Sequence, residues 1–521
     1  MFRSRFAAFA LVAAAVPLSA QQPSAKPIRL VLALTVDQLR PDYLERFGGE
    51  FTGGFGRLLR EGVYYPRGEQ DHAITQTAPG HSTIMAGRSP ASTGILSNDL
   101  GVPDPAVRLI NSTGAGASPW RFRGSTLVDW LKARDSATRI LSVSRKDRGA
   151  ILPVGRQVAP IFWYSQGKYT TSRYYADTLP TWLQAWNAKD PVKALAGTSW
   201  ELGRPAAFYP EPDDRPFEDG GGGRTFPHRI PDDWTMASGV LEYRSVMDSL
   251  TLDVALTGLR AMRLGQRDGT DFLAISISTL DNIGHRWGPG SREVHDHMLN
   301  LDRWLGAFLD SLGRTVPLDQ VVISLTSDHG VAEFPEAGKG GRASISAVTN
   351  DLNRWALARW GIKLGAASHA GLLLANVADL RARGVNVDSL ARAVAARVRA
   401  LPGVRAVYTP ASLTAAPRTD LEAGRWKRQI IPGMGWLVAV AIEPDWVWGT
   451  SKAETGHGTT NLDDMRVPIL FRIPGVSPAR VEQRARTIDI APTLAAVLKL
   501  RPTETIEGVA LPAALPRRTP R

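Results

Sequence analysis

Apolar runs that alternate with helical patterns organise most of this chain. Residues 28–36 (IRLVLALTV) are almost continuously apolar, as is typical of a strand buried on both faces of a parallel sheet. Similar runs occur at residues 140–143, 272–277, 321–325 and 467–471. Helical periodicity separates them, after Pro41 to about Gly62, across 292–312 and across 490–500. This alternation predicts an α/β fold, a doubly wound and mostly parallel sheet sandwiched by helices.

Two stretches break the alternation. Residues from about 155 to 245 are rich in Trp, Tyr, Pro and Gly, and residues from about 335 to 450 have a helix-and-strand pattern of their own. We interpret both as cap insertions over an active site, within one catalytic domain spanning residues 21–515. The tail at 516–521 (PRRTPR) is expected to be frayed and solvated.

The amino-acid composition limits the class of protein and the kinds of metal site that are possible. A chain with 43% hydrophobic and 21% charged residues has the profile of a globular protein. It contains no cysteine, which excludes disulfides, thiol nucleophiles, thiolate zinc sites and iron–sulfur clusters. Any metal must therefore be bound by His, Asp and Glu. The net charge of +12 suits an anionic partner, but it does not distinguish DNA from phosphoesters or acidic surfaces.

The N-terminus has the pattern of a signal peptide at residues 1–20. Arg3 and Arg5 precede an apolar stretch at 6–16, and small residues end at Ala20. The stretch is short for a bilayer span, although an uncleaved anchor is the alternative. We expect a periplasmic or secreted protein without a membrane anchor after cleavage.

Candidate metal ligands follow the predicted strands. In open α/β sheets, ligands bind outside the carboxyl ends of the strands. The side chains found there are Asp37, Asp281, His285, Asp328, His329 and, ahead of the last strand, His457. Carboxylate and imidazole ligands suit Zn²⁺, with Mn²⁺ or Fe also possible. One such Asp alone is more often a helix cap or turn residue, but the close Asp–His pairs favour metal binding. His295 and His297, on a predicted helix, are interpreted as surface or core residues.

The segment Thr77-Ala-Pro-Gly-His81 has the composition of a helix start. Backbone N–H groups at a helix start attract phosphate. The alternative is that Thr77 is a plain N-cap. Its hydroxyl becomes a competent nucleophile only if its pKa is lowered, which direct coordination to zinc achieves.

Taken together, these motifs resemble the alkaline phosphatase superfamily. The similarity is strongest to its phosphate-irrepressible alkaline phosphatase branch, which is related to the nucleotide pyrophosphatase/phosphodiesterases. It extends from the first strand to TIDIAPTLAAVL near the C-terminus. The resemblance implies that Thr77 is the nucleophile and that Asn98, in TGILSND, donates to a phosphate oxygen. It also implies two Zn²⁺ per chain, one bound by Asp281, His285 and His457 and the other by Asp37, Asp328, His329 and Thr77.

A further motif distinguishes the branches. Lys146-Asp-Arg148, in SVSRKDRGA, follows the strand at 140–143, where the resemblance implies contact with the non-bridging oxygens of a phosphate monoester. A monoester carries one more negative charge than a diester, and two cationic side chains can compensate it. The alternative is a solvated turn.

Motifs of other enzyme families are absent from the sequence. The Cys or Ser that sulfatases require is replaced by Thr77. No P-loop or dinucleotide fingerprint is present, and the glycines at 220–223 indicate a flexible loop.

The sequence therefore predicts a monomeric, exported zinc alkaline phosphatase. It would hydrolyse small phosphate monoesters through a phosphothreonine intermediate, without a nucleic-acid partner. Three alternatives stay open: a phosphodiesterase or nucleotide pyrophosphatase using the same Thr and zincs, a non-catalytic polyanion-binding protein, and a nucleic-acid-binding protein, for which no motif beyond net charge is present.

Overall fold

The computed structural model describes residues 26–218, 223–364, 368–449, 451–452 and 454–516. The predicted signal peptide, the tail beyond Pro516 and three of the four glycines at 220–223 lie outside the described residues.

Most strands belong to one large sheet. The strands of the described chain are β1 Leu30–Val36, β2 Val63–Glu69, β3 Ile140–Ser144, β4 Ile161–Ser165, β5 Lys168–Thr170, β6 Ser199–Trp200, β7 His228–Arg229, β8 Asp271–Ile277, β9 Val321–Thr326, β10 Arg342–Ala343, β11 Ser368–His369, β12 Leu372–Leu374, β13 Val404–Tyr408, β14 Trp436–Ile442, β15 Val447–Trp448, β16 Arg466–Arg472, β17 Ala479–Arg480 and β18 Ala485–Arg486.

Helices connect and cover these strands. They are α1 Pro41–Arg46, α2 Gly54–Glu61, α3 Thr77–Ile84, α4 Pro90–Thr93, α5 Leu127–Arg134, α6 Asp147–Ile151, α7 Thr181–Ala188, α8 Pro191–Leu195, α9 Trp234–Val240, α10 Val246–Ala261, α11 Thr279–Trp287, α12 Arg292–Thr315, α13 Ile345–Trp360, α14 Val377–Ala382, α15 Val387–Arg399, α16 Pro410–Ala415, α17 Leu421–Gln429, α18 Leu462–Met465 and α19 Ile490–Leu498. No helix in the described ranges combines the length and apolar character needed to cross a bilayer.

The large sheet has the order β17-β2-β16-β9-β1-β8-β3-β4-β5, with β18 also paired to β2. The strands β9, β1, β8, β3 and β4 are parallel to one another. Strand β16 runs antiparallel to both of its neighbours. The predicted doubly wound, mostly parallel sheet is confirmed.

Alternating side chains of the central strands enter two separate cores. In β1, Leu32 and Leu34 join the core that also contains Leu305 of α12. Val31 and Ala33 join the opposite core, with residues of α3, α5 and α19. Because both faces are covered, the central strands are predominantly apolar, as the sequence pattern indicated. Each fully buried aliphatic side chain stabilises the fold by roughly 1.5–3 kcal/mol.

The two interrupting segments differ in their relation to this sheet. Within residues 155–245, β4 and β5 extend the large sheet, so only the part after Thr170 lies outside it. The reason is local: Ile161–Ser165 is a buried run that pairs parallel to β3. Within residues 335–450, β11, β12, β14 and β13 form a separate antiparallel sheet, with its own apolar core beneath α13 and α15.

Helix boundaries also refine the prediction. The single helical stretch expected after Pro41 is two helices, α1 and α2, separated by residues 47–53. Three glycines, Gly48, Gly49 and Gly53, lie in this break and disfavour a continuous helix.

Candidate active site

The ends of three adjacent parallel strands bring the predicted ligands together. Strand β1 pairs with β8 on one side and with β9 on the other, in matching register. Asp37 follows β1, Asp281 lies in the first turn of α11 after β8, and Asp328 follows β9. All three carboxylates are buried. The edge of the sheet therefore concentrates negative charge in a nearly water-free place.

One group of potential ligands consists of Asp281, His285 and His457. The Oδ1 atom of Asp281 is 3.2 Å from Nε2 of His285 and 3.4 Å from Nε2 of His457. The two Nε2 atoms are 3.2 Å apart. Asp281 and His285 are one helical turn apart on α11, which places them on the same face.

A second group consists of Asp37, Asp281 and His329. Nε2 of His329 is 3.4 Å from Oδ1 of Asp37 and 3.8 Å from Oδ2 of Asp328. The sequence grouped Asp328 with Asp37 and His329. In the structure Asp328 lies beside this group, and Asp281 is common to both groups.

The three histidines are oriented by backbone carbonyl groups. Nδ1 of His285 donates to Thr455 O at 2.7 Å, Nδ1 of His457 to Thr75 O at 2.7 Å, and Nδ1 of His329 to Gly330 O at 2.9 Å. These bonds fix the proton on Nδ1 and leave each Nε2 as the atom that faces the carboxylates. Metal-binding histidines have this arrangement.

Lys146 links the carboxylates through their other oxygens. Its Nζ is 2.6 Å from Oδ2 of Asp37 and 2.5 Å from Oδ2 of Asp281. The histidines, in contrast, face Oδ1 of the same two residues. The ammonium and the imidazole Nε2 atoms therefore use opposite sides of each carboxylate.

Thr77 lies at the first position of α3, directly beside these groups. Its Oγ1 is 3.5 Å from Nε2 of His329 and 3.5 Å from Nζ of Lys146. The N-cap of α3 is Gln76, so the alternative interpretation of Thr77 as a helix cap is wrong. Close approach of α3 to β9 requires Gly80, because a Cβ there would overlap the backbone carbonyl of Asp328.

Asn98 is held next to the start of α3. Its Oδ1 accepts a hydrogen bond from Ala78 N at 2.8 Å, and its own backbone N–H donates to Gln76 Oε1 at 3.1 Å. Since Oδ1 is occupied, the amide NH₂ is the part of the side chain that can donate to an oxygen near Thr77.

Arg148 is not brought into the carboxylate groups. It belongs to α6, the helix that begins directly after Lys146. Its guanidinium pairs with the carboxylate of Asp147 at 3.4 Å. In the described contacts its Nε has no hydrogen-bond partner although it is buried.

Burial and mutual repulsion perturb the ionisable groups. Burial, together with the charges of Asp281 and Asp328, raises the pKa of Asp37 to about 6. Burial alone would lower the pKa of His285, but Asp281 raises it to about 9. Burial, together with the neighbouring imidazole of His329, lowers the pKa of His457 to about 3, which keeps the imidazole of His457 neutral. Such opposed shifts concentrate at functional sites.

These residues fit a site for divalent metal ions. The donors are carboxylate oxygens and imidazole nitrogens, which are ligand types that zinc prefers. Oδ1 of Asp37 is buried and accepts no hydrogen bond from the described residues. A buried carboxylate oxygen without a donor is costly unless a cation supplies the missing interaction.

Two residues of the site were missed by the sequence analysis. Gln38 adopts a left-handed conformation (φ 67°) and donates to Asp281 Oδ1 at 2.8 Å and, through its backbone, to Asp328 Oδ1 at 3.2 Å. His81 is buried, and its Nδ1 is 3.0 Å from both Thr77 O and Asp328 Oδ2. The spacing of four between Thr77 and His81 could have indicated a shared helix face, but nothing in the sequence marks Gln38.

His295 and His297 lie in the buried part of α12, as core residues. His295 bridges Glu50 and Glu211, and His297 contacts Ser245 and Asp248. Both are separate from the two ligand groups.

Comparisons with known proteins agree with the fold and motifs. The family model for type I phosphodiesterase / nucleotide pyrophosphatase matches residues 31–463. Alkaline phosphatase PhoK of a Sphingomonas species is 30% identical over 556 residues, covering 96% of this chain and 96% of its own. A protein named calcium-transporting ATPase from Myroides odoratus is 30% identical over 508 residues, covering 91% and 92%.

A solved structure is similar over nearly the whole chain. The crystal structure of wild-type alkaline phosphatase PafA superposes with a TM-score of 0.87 at 27% identity, covering 94% of this chain and 99% of that one. PafA of Elizabethkingia meningoseptica also matches in sequence, at 28% identity over 520 residues. The predicted family resemblance is confirmed: the chain is an enzyme of the type I phosphodiesterase / nucleotide pyrophosphatase family and lies with the alkaline phosphatases of the superfamily.

Proposed function

We propose that this enzyme hydrolyses phosphate monoesters through a phosphothreonine intermediate on Thr77, at a centre holding two Zn²⁺. The relatives named alkaline phosphatase support a phosphatase activity. The observation that carries the finer proposal is the position of Thr77 Oγ1, 3.5 Å from both His329 Nε2 and Lys146 Nζ. A hydroxyl, a potential metal ligand and a cation thus meet at one helix start.

The residues proposed to hold the metal ions follow the family assignment. This assignment matches the first geometric group, and it differs from the second in taking Asp328 and Thr77 in place of Asp281. Asp281, His285 and His457 would bind one ion, and Asp37, Asp328, His329 and Thr77 the other. Zinc, when bound, stabilises a deprotonated hydroxyl and the charge that develops on phosphoryl oxygens.

The side chains of this protein supply the covalent step and the positioning. Thr77 Oγ1 attacks phosphorus in line, the bond to the ester oxygen breaks, and the alcohol leaves. Water then attacks the phosphothreonine from the opposite side, which releases inorganic phosphate and restores the hydroxyl. Because phosphoryl transfer has a loose transition state, most of the acceleration comes from positioning and charge.

Charge complementarity favours a monoester over a diester. Lys146 Nζ is close to Thr77, and the NH₂ group of Asn98 can donate to a phosphoryl oxygen beside it. Arg148, in the first turn of α6 after Lys146, is proposed to contribute a second positive charge. Together these donors compensate the extra negative charge of a monoester dianion.

The proposal is tested with p-nitrophenyl phosphate and zinc analysis. Thr77→Ala should bind zinc and fold as the wild type does, yet lose nearly all turnover. Thr77→Ser, the matched control, keeps a hydroxyl and should retain measurable activity. Wild-type rates in Thr77→Ala with zinc bound would remove Thr77 from the chemistry.

The second candidate is a phosphodiesterase or nucleotide pyrophosphatase using the same residues. The matching family model, which carries that name, favours it. Comparing p-nitrophenyl phosphate with bis(p-nitrophenyl) phosphate separates the two, since a monoesterase should show the higher kcat/KM for the first.

We also propose that the enzyme is exported and acts as a monomer. The predicted signal peptide at residues 1–20 supports export. Fractionation of expressing cells should place activity outside the cytoplasm, and sedimentation should give the mass of a single chain. Activity confined to the cytoplasm, or a larger mass, would contradict these points.

A further inference from the structure

A cavity lies within the separate antiparallel-sheet segment of residues 335–450, apart from the residues of the candidate active site. Its volume is about 240 Å³. Helices α13 and α15 form one side, through Leu352 and Val398, and strands β12 and β14 form the other, through Leu373 and Val438. The indoles of Trp446 and Trp448 complete the apolar wall. None of the metal-ligand candidates lines it.

One polar group in the lining has no partner. The side chain of Thr349 is 8% exposed, and its Oγ1 makes no hydrogen bond to the described residues. A buried hydroxyl without a partner is costly, so a ligand that offers one hydrogen-bonding atom would be stabilised there. A purely apolar ligand would leave this cost in place.

The only charged side chain of the described lining does not suit an anion. Arg342 is engaged by both oxygens of Glu336, each at 2.9 Å, and it donates to Glu454 O at 2.8 Å. Its positive charge is therefore already balanced. A phosphate ester would have to enter an apolar chamber without a free cation, which its desolvation cost forbids.

The volume of the cavity limits the size of the ligand. An apolar protein cavity of roughly 150 Å³ accepts a benzene ring. The additional volume here accommodates a ring with one or two substituents, and indole faces pack favourably on aromatic rings. We propose that this cavity binds a small neutral phenol, with the ring between the aliphatic wall and the two tryptophans and the hydroxyl bonded to Thr349.

The proposal is tested by calorimetric titration of the full-length enzyme with p-cresol. Wild type should bind one p-cresol per chain in a saturable manner. Thr77→Ala should bind it with the same affinity, since the cavity is separate from the reactive hydroxyl. Loss of binding in Thr77→Ala would locate p-cresol at the active site and overturn the proposal, as would the absence of saturable binding to wild type.

Three variants examine the cavity itself. Val348→Phe fills it from α13 and should abolish binding, whereas Asn350→Phe adds the same ring at an exposed position of α13 and should leave binding unchanged. Thr349→Val removes only the hydroxyl and should weaken binding about fivefold, the usual effect of one hydrogen bond. If Val348→Phe does not fold, the Thr349→Val variant tests the proposal. An affinity of Thr349→Val for p-cresol equal to that of wild type would overturn the proposed hydrogen bond.

Discussion

Replacing His81 should weaken metal binding without touching a proposed ligand. The imidazole is fully buried; Nδ1 is 3.0 Å from Asp328 Oδ2, and Nε2 is 2.9 Å from Ser276 Oγ. Burial would raise the pKa of Asp328, but the adjacent imidazoles of His329 and His81 hold it well below its ordinary value. In His81→Ala, Oδ2 of Asp328 loses this neighbour, and the carboxylate is then oriented through Oδ1, which accepts hydrogen bonds from Gln38 N and His329 N.

The expected magnitude follows from these contacts. Loss of a residue that orients a metal ligand typically costs about 10–100-fold in metal affinity or activity. Each buried polar group left without a partner costs about 1–3 kcal/mol of stability. We therefore expect His81→Ala to lower zinc affinity about 10–100-fold, and to lower kcat with p-nitrophenyl phosphate when zinc is limiting. His81→Asn keeps a donor near the position of Nδ1 and should recover part of the affinity.

Competition with a chromophoric chelator measures the zinc affinity of each variant. His295→Ala is the matched control, because His295 is also buried and bridges Glu50 and Glu211, neither of which belongs to a ligand group. It should lower the free energy of unfolding while leaving zinc affinity unchanged. The reasoning about His81 is refuted if His81→Ala binds zinc as tightly as wild type, or if His295→Ala weakens zinc binding equally.

Three other predictions follow from the same structure. Replacing Lys146 and Arg148 together by Ala should reduce kcat/KM for p-nitrophenyl phosphate far more than for the bis ester, and an equal loss on both would show that the pair does not select charge. Removing metal by dialysis against a chelator should abolish turnover and Zn²⁺ should restore it; full activity of the metal-free protein would contradict the two-zinc proposal. Burial raises the pKa of Asp464 to about 7, above its ordinary value of 3.8, so the folded chain keeps a proton that the unfolded chain releases. Its contribution to stability is complete below pH 4 and is lost as the pH rises through 7, by a few kcal/mol. Urea unfolding of Asp464→Asn should show a smaller decline between pH 4.5 and 8, and an unchanged decline would exclude Asp464 as its source.

The sheet was predictable because its signal is local and repeated. Strands buried on both faces are mostly apolar, so residues 30–36, 271–277 and 321–326 appear as predominantly apolar runs. Parallel pairing then brings the residues that follow these strands to one edge. That geometric rule accounts for the convergence of Asp37, Asp281 and Asp328 without any knowledge of side-chain positions.

The sequence could not predict which contacts each side chain of the site makes. Lys146 was assigned to the substrate, and the distances reveal its second role as partner of Asp37 and Asp281. Gln38 acts through a positive φ and a backbone N–H, neither of which leaves a mark in the residue order. Arg148 fits the family motif, but its orientation depends on tertiary packing around α6.

The bridge formed by Lys146 has a consequence for the biogenesis of the enzyme. A cluster of buried carboxylates ordinarily opposes folding until a counter-charge arrives. Here the polypeptide carries its own counter-charge, on the oxygens that the imidazoles do not face. The polypeptide can therefore fold before the proposed metal ions bind, in whichever compartment provides them.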